Sequence, residues 1–193
     1  AFWKGYFPRL QAIFPSELEG VDLEAFYRSI NRVKPTLIRV EADEATYNLH
    51  IMLRFEIELG LVEGSLAVAD LPEIWQEKTR DYLGLTPPDD RSGVLQDIHW
   101  SDGYIGYFPT YTLGNLIAAQ LWEKIRQDLP DLDRQIEQAQ FSDLLAWLRE
   151  NIHSHGAKYE PMELLQRITG GGLSAKPYLQ YLTDKYSEIY ELG

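Results

Sequence analysis

Two stretches of this sequence carry residue types that can handle charge during a reaction. The first is Ile38-Arg39-Val40-Glu41-Ala42-Asp43-Glu44, one arginine among three acids where an extended piece passes into a helix. A guanidinium in such a place can bind a carboxylate through two parallel N–H···O bonds. The plainer reading is that Asp43 or Glu44 caps the helix and pairs with Arg39. The second stretch runs from Gly93 through Gln96, Asp97, His99 and Trp100 to Tyr104, Gly106, Tyr107 and Tyr111. Tyrosine hydroxyls and an imidazole N–H are suitable neutral donors to a tetrahedral oxyanion. Gly103 and Gly106 would let backbone come close to a ligand. An aromatic-lined structural loop, its hydroxyls satisfying backbone groups, fits the same composition.

No metal centre is expected from these residues. The histidines are His50, His99, His153 and His155, and no pair has the i, i+4 spacing that places two imidazoles on one helix face. His153 and His155 diverge if helical and suit a helix end, where a cation meets the dipole favourably. His50 lies mid-helix beside Arg54 and reads as a hydrogen-bonded core histidine. There is no cysteine, so neither a thiolate metal site nor a disulfide framework can form.

The elements that must position these groups are helical. Apolar spacing predicts helices over about 22–31, 42–61, 72–83, 111–128, 134–139, 142–152, 161–168 and 175–191. Pro35 and the β-branched residues after it predict a short extended piece over 33–40. Thr86-Pro87-Pro88-Asp89-Asp90 marks a loop, and Gly170-Gly171-Gly172 breaks the chain before its last helix. In the helix over 42–61, Leu49, Leu53 and Ile57 define one apolar face and Met52, Phe55 and Leu59 a second. Burial on more than one side is therefore expected. Two aromatics at once, Phe2 and Trp3, resemble the inside of a helix rather than a mobile terminus. The expected fold is mainly α, with little or no strand, over residues 1–193 as a single helical region.

Hydrophobic residues make up 45% of the 193, enough for a packed core, and the formal net charge is -12. So acidic a surface is repelled by phosphate backbones and anionic headgroups, which argues against nucleic-acid and membrane partners. No apolar run reaches the roughly 18 to 20 residues that span a bilayer. No secretory signal pattern is visible, and a cytoplasmic location is the expectation.

Ile38-Arg39-x-x-Ala42-Asp43 and Gly93-x-x-Gln96-Asp97-x-His99-Trp100 match two signature motifs of the carboxypeptidase Taq family letter for letter. The runs from Ala42 to His50, from Gly106 to Asn115, from Ile152 to Gly156 and from Leu164 to Gly170 resemble it too. The likeness thus extends along essentially the whole chain. It implies a helical, gluzincin-like metallopeptidase, a homodimer in many members, that uses one zinc to remove single residues from peptide C-termini. The family's zinc ligands lie in H-E-x-x-H and in a motif beginning His-Glu-Ser-Gln, and neither occurs here. The resemblance therefore implies a C-terminal portion that begins just after the last ligand and is inactive without the missing N-terminal part.

For the assembled enzyme the resemblance implies roles as well. His99, with Tyr107 or Tyr111, would stabilise the oxyanion, with Tyr104 a further candidate near the substrate. Arg39 would take the substrate's terminal carboxylate. Asp43 and Asp97 would orient Arg39 or His99 rather than react. A non-catalytic helical binding module is the competing expectation. A reading frame continuing upstream into H-E-x-x-H would separate the two.

Overall fold

Helices form almost wherever apolar spacing places them. The computed structural model describes residues 1–193 and contains nine α-helices, three short 3₁₀ turns and no strand. The chain divides into two units, one of Ala1–Ile30 with Asn115–Gly193 and the other of Asn31–Gly114. No helix is long and apolar enough to cross a membrane.

The unit of residues 31–114 is built on α3 (Tyr47–Glu63) and α4 (Leu71–Leu83). Both stop at a glycine in the left-handed region, Gly64 and Gly84, which frees the backbone to turn away. Leu53, Ile57, Trp75 and Leu83 form the buried cluster between them, with Val94 and Trp100 packed against it. Full burial of each such side chain favours folding by about 1.5–3 kcal/mol. At the rim, Glu56 of α3 takes Lys78 Nζ at 2.5 Å and the Tyr82 hydroxyl of α4.

The other unit contains α1 (Phe2–Ile13), α2 (Leu23–Ile30), α6 (Leu132–Glu137), α7 (Ser142–Asn151), α8 (Pro161–Thr169) and α9 (Lys176–Tyr190). The division falls inside α5 (Pro109–Asp128). Ile125, Leu132, Ile136 and Trp147 make its core. Trp147 donates its indole N–H to Asp128 Oδ2 at 2.9 Å. Phe26 of α2 packs on Trp3 and Phe7 of α1, each with ring centroids 4.8 Å apart. Arg28 ties α2 to the end of α9 through Ile189 O at 2.8 Å and Glu191 at 2.8 Å.

Three expectations are corrected in detail. The long helix begins at Tyr47 rather than Ala42, because the Asp43 side chain closes a turn ahead of it. The extended piece over 33–40 finds no strand partner and passes into a 3₁₀ turn at Arg39–Glu41. The second buried side of α3 is not the one the apolar spacing suggested. Met52, Phe55 and Leu59 are 44%, 46% and 43% exposed, while His50, Arg54 and Glu58 are 1%, 0% and 4% exposed. His153–His155 forms a 3₁₀ turn right after α7, as a helix end should.

Candidate active site

Most of the singled-out residues come together in the unit of residues 31–114. The two motif segments are stitched by Gln96. Its Oε1 accepts the Arg39 backbone N–H at 2.9 Å, while its Nε2 donates to Leu37 O and Ser92 O, both at 3.0 Å. Gly93, the first residue of its motif, lies close to its neighbours. A Cβ there would stand a tight 3.0 Å from Asp89 O and in ordinary contact, 3.5 Å, with the Trp75 ring.

Asp97 sits at the centre of the charge. Its Oδ1 accepts from Arg39 Nε at 3.0 Å and Nη2 at 2.7 Å. Its Oδ2 accepts from Arg54 Nε at 2.7 Å. Arg54 Nη2 lies 2.6 Å from that same oxygen, close enough for strong attraction but without hydrogen-bond alignment. Burial alone would raise the Asp97 pKa, and the bonds and charges of the two arginines outweigh it, holding the carboxyl below its ordinary value. Burial also acts to lower the Arg39 pKa, and Asp97 overrides it, so that guanidinium stays charged. Arg54 is 0% exposed and is pushed down to about 10, by burial first, with Asp97 opposing. It donates Nη1 to His50 O at 2.7 Å and lies over the Trp75 ring at 4.6 Å.

His99 lies beside this group. Its Nε2 is 2.9 Å from the Tyr111 hydroxyl, and its Nδ1 is 3.9 Å from Asp97 Oδ1, beyond hydrogen-bond reach. Phe108, 1% exposed, packs on the imidazole at a centroid distance of 4.4 Å. The Tyr107 ring is 5.7 Å from that of His99, and the Tyr104 ring is 5.9 Å from that of Tyr107. Tyr104 and Tyr107 are open to solvent, at 55% and 45%. Burial raises the Tyr111 hydroxyl pKa, which keeps it a neutral donor. The Arg39 guanidinium lies over the Tyr111 ring at 5.1 Å and donates Nη1 to the Tyr47 hydroxyl at 3.1 Å.

Asp43 is spent elsewhere. Its Oδ1 accepts the N–H groups of Ala45 and Thr46, at 3.0 and 2.9 Å. Its Oδ2 takes the Thr46 hydroxyl at 3.0 Å and the Lys34 N–H at 2.9 Å. It therefore caps the entry to α3, the plainer of the two readings of its position, and the carboxylate on Arg39 is that of Asp97. His50 is a core histidine, as expected, buried with Nε2 unpartnered. Burial first, then the charges of Arg54 and Arg39, push its pKa down to about 4. Arg54, Tyr47 and Glu58 were missed by motif spacing. The available signal was three ionisable residues, His50, Arg54 and Glu58, at steps of four on one helix face.

A zinc site is not assembled by these residues. No group of three or more His, Cys, Asp or Glu side chains stands in a position to hold a metal ion, and zinc needs three or four such ligands.

A model of the family described as "Carboxypeptidase Taq (M32) metallopeptidase" matches residues 1–186. The chain is 50% identical over 98% of its length to Thermostable carboxypeptidase 1 of Thermus thermophilus, and covers 37% of that protein. It is 44% identical over 99% of its length to Carboxypeptidase 1 of Bacillus subtilis, covering 38% of it. Among solved structures, the M32 carboxypeptidase from Deinococcus radiodurans superposes with a TM-score of 0.96 at 45% identity, over 99% of this chain and 39% of the other. The chain thus spans well under half the length of the relatives it matches.

Proposed function

The chain belongs to the carboxypeptidase Taq (M32) metallopeptidase family, and we propose that it is the C-terminal portion of one larger catalytic domain to which both of its units contribute. The complete enzyme removes single residues from peptides with a free C-terminus. It holds zinc through ligands outside this chain and works in the cytoplasm as a homodimer. This portion supplies groups that grip the substrate and is inactive by itself.

The observation that carries the reading is the Arg39–Asp97 pair with the His99–Tyr111 contact beside it. A guanidinium held by its Nε and Nη2 is already oriented before a carboxylate arrives, so less rotamer freedom is lost on binding. In this reading Arg39 takes the terminal carboxylate of the peptide. His99 donates to the oxyanion together with Tyr111 or Tyr107, and Tyr104 flanks the substrate. Tyr111 shares a hydrogen bond with His99 and is the better placed of the two hydroxyls to set which imidazole nitrogen carries the proton. Asp97 orients Arg39 through its two hydrogen bonds.

The test is release of C-terminal residues from an unblocked peptide with zinc or cobalt added. The chain is assayed alone and after co-expression with the remainder of the enzyme. Activity only in the joint sample is the expected result. Activity in the chain alone overturns the assignment of the metal ligands. A well-folded joint sample without activity favours a helical binding module. In the joint sample Arg39→Ala should raise KM strongly for free-acid peptides. His99→Ala should lower kcat by about a hundred- to thousandfold.

A further inference from the structure

Helix α3 meets the second motif at two places one turn apart. Arg54 holds Asp97, and four residues on Glu58 holds the turn that follows. Glu58 is 4% exposed, and its Oε1 accepts both the Gly106 N–H at 2.6 Å and the Trp100 indole N–H at 3.2 Å. Its Oε2 is buried without a hydrogen-bond partner. Stability alone does not explain such a residue. An apolar side chain of similar volume in place of a buried charge is often neutral or stabilising, and a half-satisfied carboxylate strengthens that case. What an apolar side chain cannot do is hold two donors at one point.

Those donors bracket the residues that matter. Between Trp100 and Gly106 the chain reverses, closed by the Tyr104 N–H on His99 O at 2.8 Å and by the Gly103 N–H on Trp100 O at 3.2 Å. Gly106 has φ +80°, a conformation that a side chain disfavours and that presents its N–H to Glu58. His99 immediately precedes one anchored residue, and Tyr107 immediately follows the other.

We propose that Glu58 is a positioning residue for the peptidase reaction: its carboxylate pins Trp100 and Gly106, and so fixes the His99 imidazole and the Tyr107 hydroxyl relative to each other. The proposal rests on the function proposed above. Arg39 is held separately by Asp97, Gln96 and Tyr47, so loss of Glu58 disturbs turnover and leaves carboxylate binding in place.

The experiment uses the complete, metal-loaded enzyme with an unblocked peptide. It compares Glu58→Leu, Glu58→Gln, Trp100→Phe and His99→Ala by kcat and KM, with metal content and thermal midpoint measured alongside. Glu58→Leu should lower kcat by about 10- to 100-fold, the scale of a misplacement near 1 Å, with KM within about twofold. Glu58→Gln keeps a carbonyl oxygen for the same two donors and should return kcat to within about threefold of wild type. Trp100→Phe removes one donor and should lower kcat by about tenfold at unchanged KM.

Wild-type kcat in Glu58→Leu overturns the proposal, as does a Glu58→Gln variant no better than Glu58→Leu. If Glu58→Leu does not fold, the other two variants decide. A near-normal Glu58→Gln together with a fall in kcat for Trp100→Phe supports the role, and any other pairing overturns it. His99→Ala at wild-type kcat would instead remove the reading of the site itself. His99→Ala impaired beside an unimpaired Glu58→Leu removes only the role given to Glu58.

Discussion

The deepest side chains of residues 115–193 are Leu132, Leu165 and Ile125, at 1%, 2% and 3% exposure, and the buried polar group of the same stretch is the neutral amide of Gln120. Backbone satisfies that amide at both ends, through Gly172 O and the Ser174 N–H. In residues 31–114 the deepest set includes Arg54 and His50, with Glu58 and Arg39 close behind. The first region can hold together by apolar contact and tolerates imperfect packing in proportion to the volume lost. The second depends on charges that satisfy one another, and removing one leaves its partners unpaired in a poor solvent. The region with the buried charges is also the one that gathers the motif residues.

Deleting the shared carboxylate is the hardest test of this contrast. Asp97→Ala leaves two buried guanidiniums without a counter-charge and should cost about 3–5 kcal/mol in urea unfolding. In the complete enzyme kcat/KM should collapse with it. Leu132→Ala should cost about 2–5 kcal/mol of stability yet leave kcat/KM within a few-fold, because only a cavity is made. Equal losses of kcat/KM in the two variants would erase the distinction.

A smaller effect comes from His50. Its folded-state pKa of about 4 lies below the ordinary 6.5. Between those values the unfolded chain binds a proton that the folded chain refuses. Stability should therefore fall as pH drops from about 6.5 to about 4, by up to about 3 kcal/mol, and show no such slope above 6.5. His50→Phe should flatten the difference between urea midpoints at pH 6.5 and pH 4.5. An unchanged slope would show that His50 is not buried neutral. The smallest effect is expected at the surface pair Arg167–Glu163, whose side chains are 54% and 50% exposed. Arg167→Ala should leave the urea midpoint within error, in keeping with solvent screening.

Much of this was legible from residue order. Helix positions followed apolar spacing, and Gly170–Gly172 broke the chain before α9 as expected. Local rules could not choose between Asp43 and Asp97 as the partner of Arg39. Asp43 is near in sequence but faces free N–H groups at the entry to α3, which take it first. Asp97 lies 58 residues away and meets Arg39 where Gln96 stitches the two segments. The buried side of α3 was misread for a related reason. Apolar spacing cannot tell that an arginine and a glutamate will be buried, because their burial depends on partners from a distant segment. Met52, Phe55 and Leu59 looked like a core face and are exposed.

The carboxylate shared by two arginines also limits how this sequence can drift. A lineage that loses Asp97 alone leaves two buried cations without a counter-charge, and one that loses either arginine leaves the buried carboxylate with one charge partner in place of two. Either intermediate is selected against before a compensating change can arrive. Positions 39, 54 and 97 should therefore vary together or not at all. The exposed rim at Tyr104 and Ile105 carries no such mutual dependence. Its residues can change one at a time.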